Sequence, residues 1–138
     1  MKNKFVLDAC ALVAFLQNES GSDVVSDILQ EVDDDRVEIH MHKLNLLEVY
    51  YDTLRRFGEA DADRFMKTIA DSQIKIISEL SDAVFKEAGR LKASYRISLA
   101  DAVALAEAAV KDAALVTSDH HEFDTIEKNE PIKFLWIR

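Results

Sequence analysis

The stretch Lys4-Phe5-Val6-Leu7-Asp8 decides how this chain is read. A short apolar run stops abruptly at an acid. Residues 4–7 have the length and content of a buried strand. Ala9-Cys10-Ala11-Leu12-Val13-Ala14-Phe15-Leu16 follows at once and reads as a helix. Asp8 therefore stands at a strand–helix junction, directly after a core segment, where an isolated charge is costly to bury. Such a residue needs a partner.

The same local context returns further along. Residues 36–40 alternate as a second strand. Asn45 then has N-cap chemistry, with Glu48 at capping-box spacing. Leu47, Tyr50, Leu54 and Phe57 continue that helix as an expected buried stripe up to Gly58. Residues 60–71 are another helix and 74–77 a third strand. Ser81 or Asp82 opens a helix whose inward side carries Val84, Ala88, Leu91 and Tyr95. Ser98 and Asp101 repeat the capping spacing before a helix with Leu99, Val103, Ala106 and Val110 as its expected inner stripe. Residues 113–117 form a fourth strand that runs into Ser118-Asp119, and residues 120–126 a short helix. Residues 132–137 close the chain as an edge strand. Earlier, Ser22 or Asp23 is expected to cap a helix with Val25, Ile28, Leu29 and Val32 on one side.

Strands alternating with helices imply a mostly parallel sheet covered on both faces. The length, 138 residues, suits a single domain over residues 1–138. Ligands of such sheets bind beyond the carboxyl ends of the strands. Asp8 and Asp119 fall at that edge. Glu48 and Asp101 are expected in the first turns of helices that begin there.

Two carboxylates about 5 Å apart repel by roughly 3 kcal/mol at an effective dielectric near 20. Four gathered acids would hold protons at raised pKa unless a cation lay among them. Hard oxygen donors suit Mg²⁺ or Mn²⁺, and such ions serve phosphodiester chemistry. The bland alternative is real: a lone acid at a helix start is ordinarily a cap or a dipole partner. With 26 acidic residues, coincidence is easy. Capping accounts for Glu48 alone as well as metal binding does. It accounts poorly for Asp8, and the four together favour metal.

These segments resemble the PIN-domain nucleases, and within them the VapC-type toxins of toxin–antitoxin pairs. The likeness rests on residues 5–16, on Asn45-Leu46-Leu47-Glu48, on Ser98-Leu99-Ala100-Asp101-Ala102, and on residues 115–123. It implies a three-layer α/β/α sandwich, an RNA substrate and a Mg²⁺- or Mn²⁺-dependent ribonuclease. It also implies a homodimer and a cognate antitoxin that blocks the site. By that likeness Asp8, Glu48, Asp101 and Asp119 are metal ligands. Asp8 and Asp101 would bind directly, and Asp119 through water.

The formal net charge of −9 argues against a broad basic nucleic-acid face. RNA contact must be local, through metal and a few Lys or Arg. Lys86 and Arg90, spaced i, i+4, could guide phosphates, and Tyr51 could stack on a base. The hydroxyls of Thr117 and Ser118 are read first as strand-end caps, and Glu122 and Asp124 as solvent-facing. His120 and His121 suggest zinc, but His40 and His42 are the nearest further ligands and belong to another strand or its loop. Cys10, the single cysteine, reads as a small buried hydrophobe, excludes an internal disulfide and fits a reducing cytoplasm. No apolar run approaches a membrane span, and the N-terminus does not read as a signal peptide.

Two rival phosphoryl-transfer patterns fail. Haloacid-dehalogenase-like enzymes place an acid where Cys10 stands, and response-regulator receivers place one where Ser78 follows Ile77. A non-catalytic metal-binding module of the same fold remains the alternative function.

Overall fold

The computed structural model describes residues 2–138. They form five strands and seven helices: β1 (Asn3–Leu7), α1 (Ala9–Leu16), α2 (Ser22–Asp33), β2 (Val37–His42), α3 (Lys43–Phe57), α4 (Glu59–Ala70), β3 (Lys75–Ile77), α5 (Asp82–Ser94), α6 (Leu99–Lys111), β4 (Ala114–Thr117), α7 (His120–Asn129) and β5 (Lys133–Trp136). The strands lie in the order β3-β2-β1-β4-β5, every pair parallel. The expected α/β/α sandwich is therefore present, with a sheet parallel throughout.

Alternation within the central strands divides the core. Val6 and Leu115 face a layer built by α5, α6 and α7, including Leu91, Leu105, Phe123 and Ile126. Leu7, Ile39, Met41 and Val116 face the other layer, built by α1, α2, α4 and Val49 of α3. Both faces of the sheet are thus dry at Val6, Leu7, Leu115 and Val116, which is why β1 and β4 are apolar there without alternation.

Two helices depart from their expected faces. In α3, Asn45 lies within the helix and does not cap it; His42 does, its Nδ1 accepting from the Leu44 N–H at 3.0 Å. The buried face of α3 is Asn45, Val49 and Thr53, while Leu47, Leu54 and Phe57 are exposed. In α6 every residue from Ala102 to Ala108 is buried, and Leu99 and Val110 at its ends are exposed. A helix enclosed all round carries little periodic signal.

His42 also makes a second hydrogen bond. With Nδ1 acting as acceptor, Nε2 carries the proton and donates to the Glu79 carbonyl at 3.2 Å. The same nitrogen lies 3.8 Å from Glu107, a wholly buried carboxylate of α6 that also pairs with Lys111 at 3.0 Å.

Helix α2 starts at Gly21, not at a side-chain cap, with φ at +97°. A Cβ there would lie 2.6 Å from the Ile137 carbonyl oxygen, just past β5. Gly21→Ala should therefore cost roughly 1–3 kcal/mol through strain and the clash. Urea denaturation measures it; an unchanged midpoint would mean the turn simply relaxes.

Candidate metal centre

The strand order reverses between β1 and β4, so the chain leaves these neighbours in opposite directions and opens a crevice at their carboxyl ends. Asp8 follows β1 and Asp119 follows β4. Leu7 is paired with Val116, and the Asp8 N–H donates to the Val116 carbonyl at 3.3 Å. Asp8 is buried, and its Oδ1 caps α1 by accepting from Ala11 N–H at 2.8 Å. Asp119 caps α7, its Oδ1 accepting from Glu122 N–H at 3.1 Å. Thr117 Oγ1 accepts from Asp119 N–H at 3.0 Å, and the same hydroxyl favours the charged form of Asp8. The capping reading of Thr117 holds.

Asp101 lies in the first turn of α6, as expected, with its N–H bonded to Ser98 Oγ at 3.0 Å. Glu48 does not lie in a first turn. Helix α3 begins five residues earlier, at Lys43, and Glu48 is half-buried on its second turn.

Electrostatics link the four. Burial pushes the Asp8 carboxyl up to about 7; bonds from Thr117 and Ala11 pull it down, and Asp101 and Asp119 push it further up. Burial raises Asp101 to about 6, against the Ser98 hydrogen bond and with repulsion from Asp119 and Glu122. Glu48 is raised by burial and then by Asp101, while Asn45 beside it acts the other way. Cys10 reports on the whole group. Although the residue reaches solvent, desolvation of its sulfur and repulsion from Asp8, Asp119, Asp101 and Glu48 push its thiol up to about 12. A thiol held so high is not a nucleophile at neutral pH.

The donor set fits a hard divalent cation by chemistry and charge: oxygen ligands, partly desolvated, mutually repelling. The side chains do not stand in a closed cage. Among the described residues no three His, Cys, Asp or Glu groups come together closely enough to hold an ion. Asp8 and Asp119 each engage one oxygen at a helix N-terminus.

Other expectations sort as follows. Glu122 is half-buried and acts on Asp101, so it is not simply solvent-facing. Cys10 is exposed rather than buried. Arg90 is engaged by Glu87 and Glu130 at 2.5 and 2.6 Å and does not form a free phosphate strip with Lys86. His120 stacks on Trp136 with centroids 3.8 Å apart and bonds to Asp124 and the Arg138 carbonyl. One residue escaped sequence reasoning. Arg138, held by the Ser20 carbonyl at 2.8 Å, lines a cavity of about 260 Å³ with Glu48, Cys10 and exposed Tyr51. Nothing in its local sequence marks it, because only the parallel docking of β5 brings it there.

Comparison with known proteins agrees with this architecture. Residues 5–129 match the family model of the PIN domain, so the chain belongs to the PIN domain family. No curated protein matches it by sequence. Its fold is similar to that of VapBC2 from Rickettsia felis bound to a promoter DNA fragment, with TM-score 0.73, 14% identity, and 96% and 97% of the two chains covered. It is similar to VapBC-1 from nontypeable Haemophilus influenzae, with TM-score 0.73, 13% identity, and 97% and 98% covered. It is also similar to VapC20 of Mycobacterium tuberculosis, a sarcin–ricin loop cleaving toxin, with TM-score 0.62, 12% identity, and 88% and 94% covered. Among the described residues no helix is long and apolar enough to cross a membrane.

The raised Asp8 pKa has a definite sign. The folded state holds this proton more tightly than the unfolded chain, so stability is complete below about pH 4 and is lost as pH rises towards about 7. Asp8→Asn keeps a capping oxygen and removes the charge. In EDTA it should be more stable than wild type by a few kcal/mol at pH 8, and by far less at pH 5. Urea midpoints at the two pH values test this, and equal differences at both would exclude a buried, proton-binding Asp8.

Proposed function

We propose that this chain is a metal-dependent endoribonuclease that hydrolyses RNA phosphodiester bonds, and that it is the toxin of a toxin–antitoxin pair. The observation that carries the reading is the placement of acids from four separate elements at the switch-point edge, Asp8 after β1, Asp119 after β4, Asp101 in the first turn of α6 and Glu48 on α3. PIN-family membership supports it, as does the likeness in fold to VapBC complexes and to a toxin that cleaves the sarcin–ricin loop.

Asp8, Glu48, Asp101 and Asp119 would hold Mg²⁺ or Mn²⁺. Such an ion, when bound, activates water and stabilises charge on a phosphoryl group. The protein's own part is positional. The two helix caps orient Asp8 and Asp119, the Thr117 hydroxyl holds the backbone at Asp119, and the Ser98 cap fixes the backbone at Asp101. Asp8 and Asp101 must lose their protons before they can serve, so activity rises with pH through about 6 to 7. With a net charge of −9, intrinsic affinity for RNA is weak, and Arg138 and Tyr51 are the groups placed to touch the strand beside Glu48. The cytoplasm is the compartment that supplies such a substrate.

Exposed apolar surface fits protein partners. Leu47, Tyr51 and Leu54 share one outer face of α3. Leu80, Phe85 and Leu99 line an apolar groove of about 410 Å³ across α5 and α6, with Phe85 and Leu99 65% and 62% exposed. A second copy and a cognate antitoxin are the proposed occupants of these surfaces.

Labelled single-stranded RNA tests the activity. Cleavage is expected in Mn²⁺ or Mg²⁺ and none in EDTA, with 5′-phosphate products. Asp101→Asn and Asp119→Asn should each lose at least about 100-fold. Wild type that binds metal without cutting RNA would instead favour a non-catalytic interaction module, and equal cutting by the variants would place the activity elsewhere. For assembly, sedimentation of Phe85→Lys should give a lower mass than wild type; identical masses would remove this groove from the interface.

A further inference from the structure

Asn45 is the third residue of α3, is wholly buried and does not cap its helix. Its Nδ2 donates at 3.1 Å to the carbonyl of Ala100, 55 positions away in the first turn of α6. Ala100 immediately precedes Asp101. Glu48 lies three residues after Asn45, so the two are neighbours on the helix surface. One side-chain amide therefore links the turn that carries Asp101 to the helix that carries Glu48. Its other end is unsatisfied: Oδ1 is buried and finds no partner among the described residues. A buried acceptor without a donor destabilises a fold, and an apolar side chain of similar volume would avoid that cost. Stability alone gives no reason for an amide at this position.

We propose that Asn45 is a positioning residue that pins the first turn of α6, and with it Asp101, at a fixed spacing from Glu48. This rests on the reading of the four acids as a cation site. Repulsion between Glu48 and Asp101 acts across the seam where α3 and α6 pack, and the Asn45–Ala100 bond ties the two helices together across that seam. Asn45 supplies that join without adding charge, and the unpaired Oδ1 is its cost. The residue touches neither substrate nor ion; it acts through Glu48 and Asp101.

The test uses the full chain, with Mn²⁺ affinity from calorimetry and melting temperature in EDTA. Asn45→Leu keeps the volume and removes the amide. It is expected to melt at or above the wild-type temperature while binding Mn²⁺ about 10- to 100-fold more weakly. Asn45→Ser, which keeps a short donor, should fall between the two. In a Glu48→Gln background the loss caused by Asn45→Leu should shrink, because the spacing it protects no longer matters. A lowered melting temperature with Mn²⁺ affinity within about twofold of wild type would make Asn45 a packing residue and overturn the proposal. So would an undiminished loss in the Glu48→Gln background. If wild type itself failed to bind Mn²⁺, the cation-site reading would fall first and this inference with it.

Discussion

The desolvated carboxylate of Asp8 constrains everything around it. It is buried at the end of a central strand, where burial raises its pKa towards neutrality and two further acids add to the effect. The fold offsets this locally. The Ala11 N–H at the start of α1 donates to the carboxylate, and the Thr117 hydroxyl favours its charged form. Asp119 caps α7, and Asp101 lies in the first turn of α6. Each acid therefore gains from a helix N-terminus, worth about 0.3–1 kcal/mol. The helix termini help several acids share one edge of the sheet.

Topology explains why these acids meet at all. Strands β1 and β4 are neighbours in space but are separated by β2, β3 and six helices in sequence. Because every strand is parallel, each helix that follows a strand starts at the same edge. The acids after β1 and β4 lie at the centre of that edge. Helices α3 and α6 pack together, so Glu48 and Asp101 approach from the flanks.

Much of this was legible in the chain, and the failures share a cause. Strands in parallel sheets are short continuous apolar runs, and such runs marked β1 and β4 well. Acids directly after them were visible for the same reason. Helix faces were less legible. Asn45 was read as a cap because asparagine commonly caps, whereas the cap is the unprotonated nitrogen of His42, a role that composition does not suggest. That shift moved the start of α3 and took Glu48 out of the first turn. Helix α6 is enclosed on all sides, so its apolar pattern could not say which residues face out. Arg138 and the Asn45–Ala100 bond depend on contacts across 118 and 55 positions, and local sequence carries no trace of them.

The misread stripe on α3 is informative in itself. Leu47, Leu54 and Phe57 have helical spacing and are large, so periodicity assigns them to a core. The chain instead buries Asn45, Val49 and Thr53, and leaves Leu47 53% exposed. The inversion places two polar side chains inside, one of them the amide that reaches Ala100. It also leaves apolar surface beside the cavity that opens onto Glu48. A partner that covered this face would bury the stripe and close that cavity together. One binding event would then supply hydrophobic stabilisation and restrict access to the acids, which is what control of a nuclease by a bound protein requires.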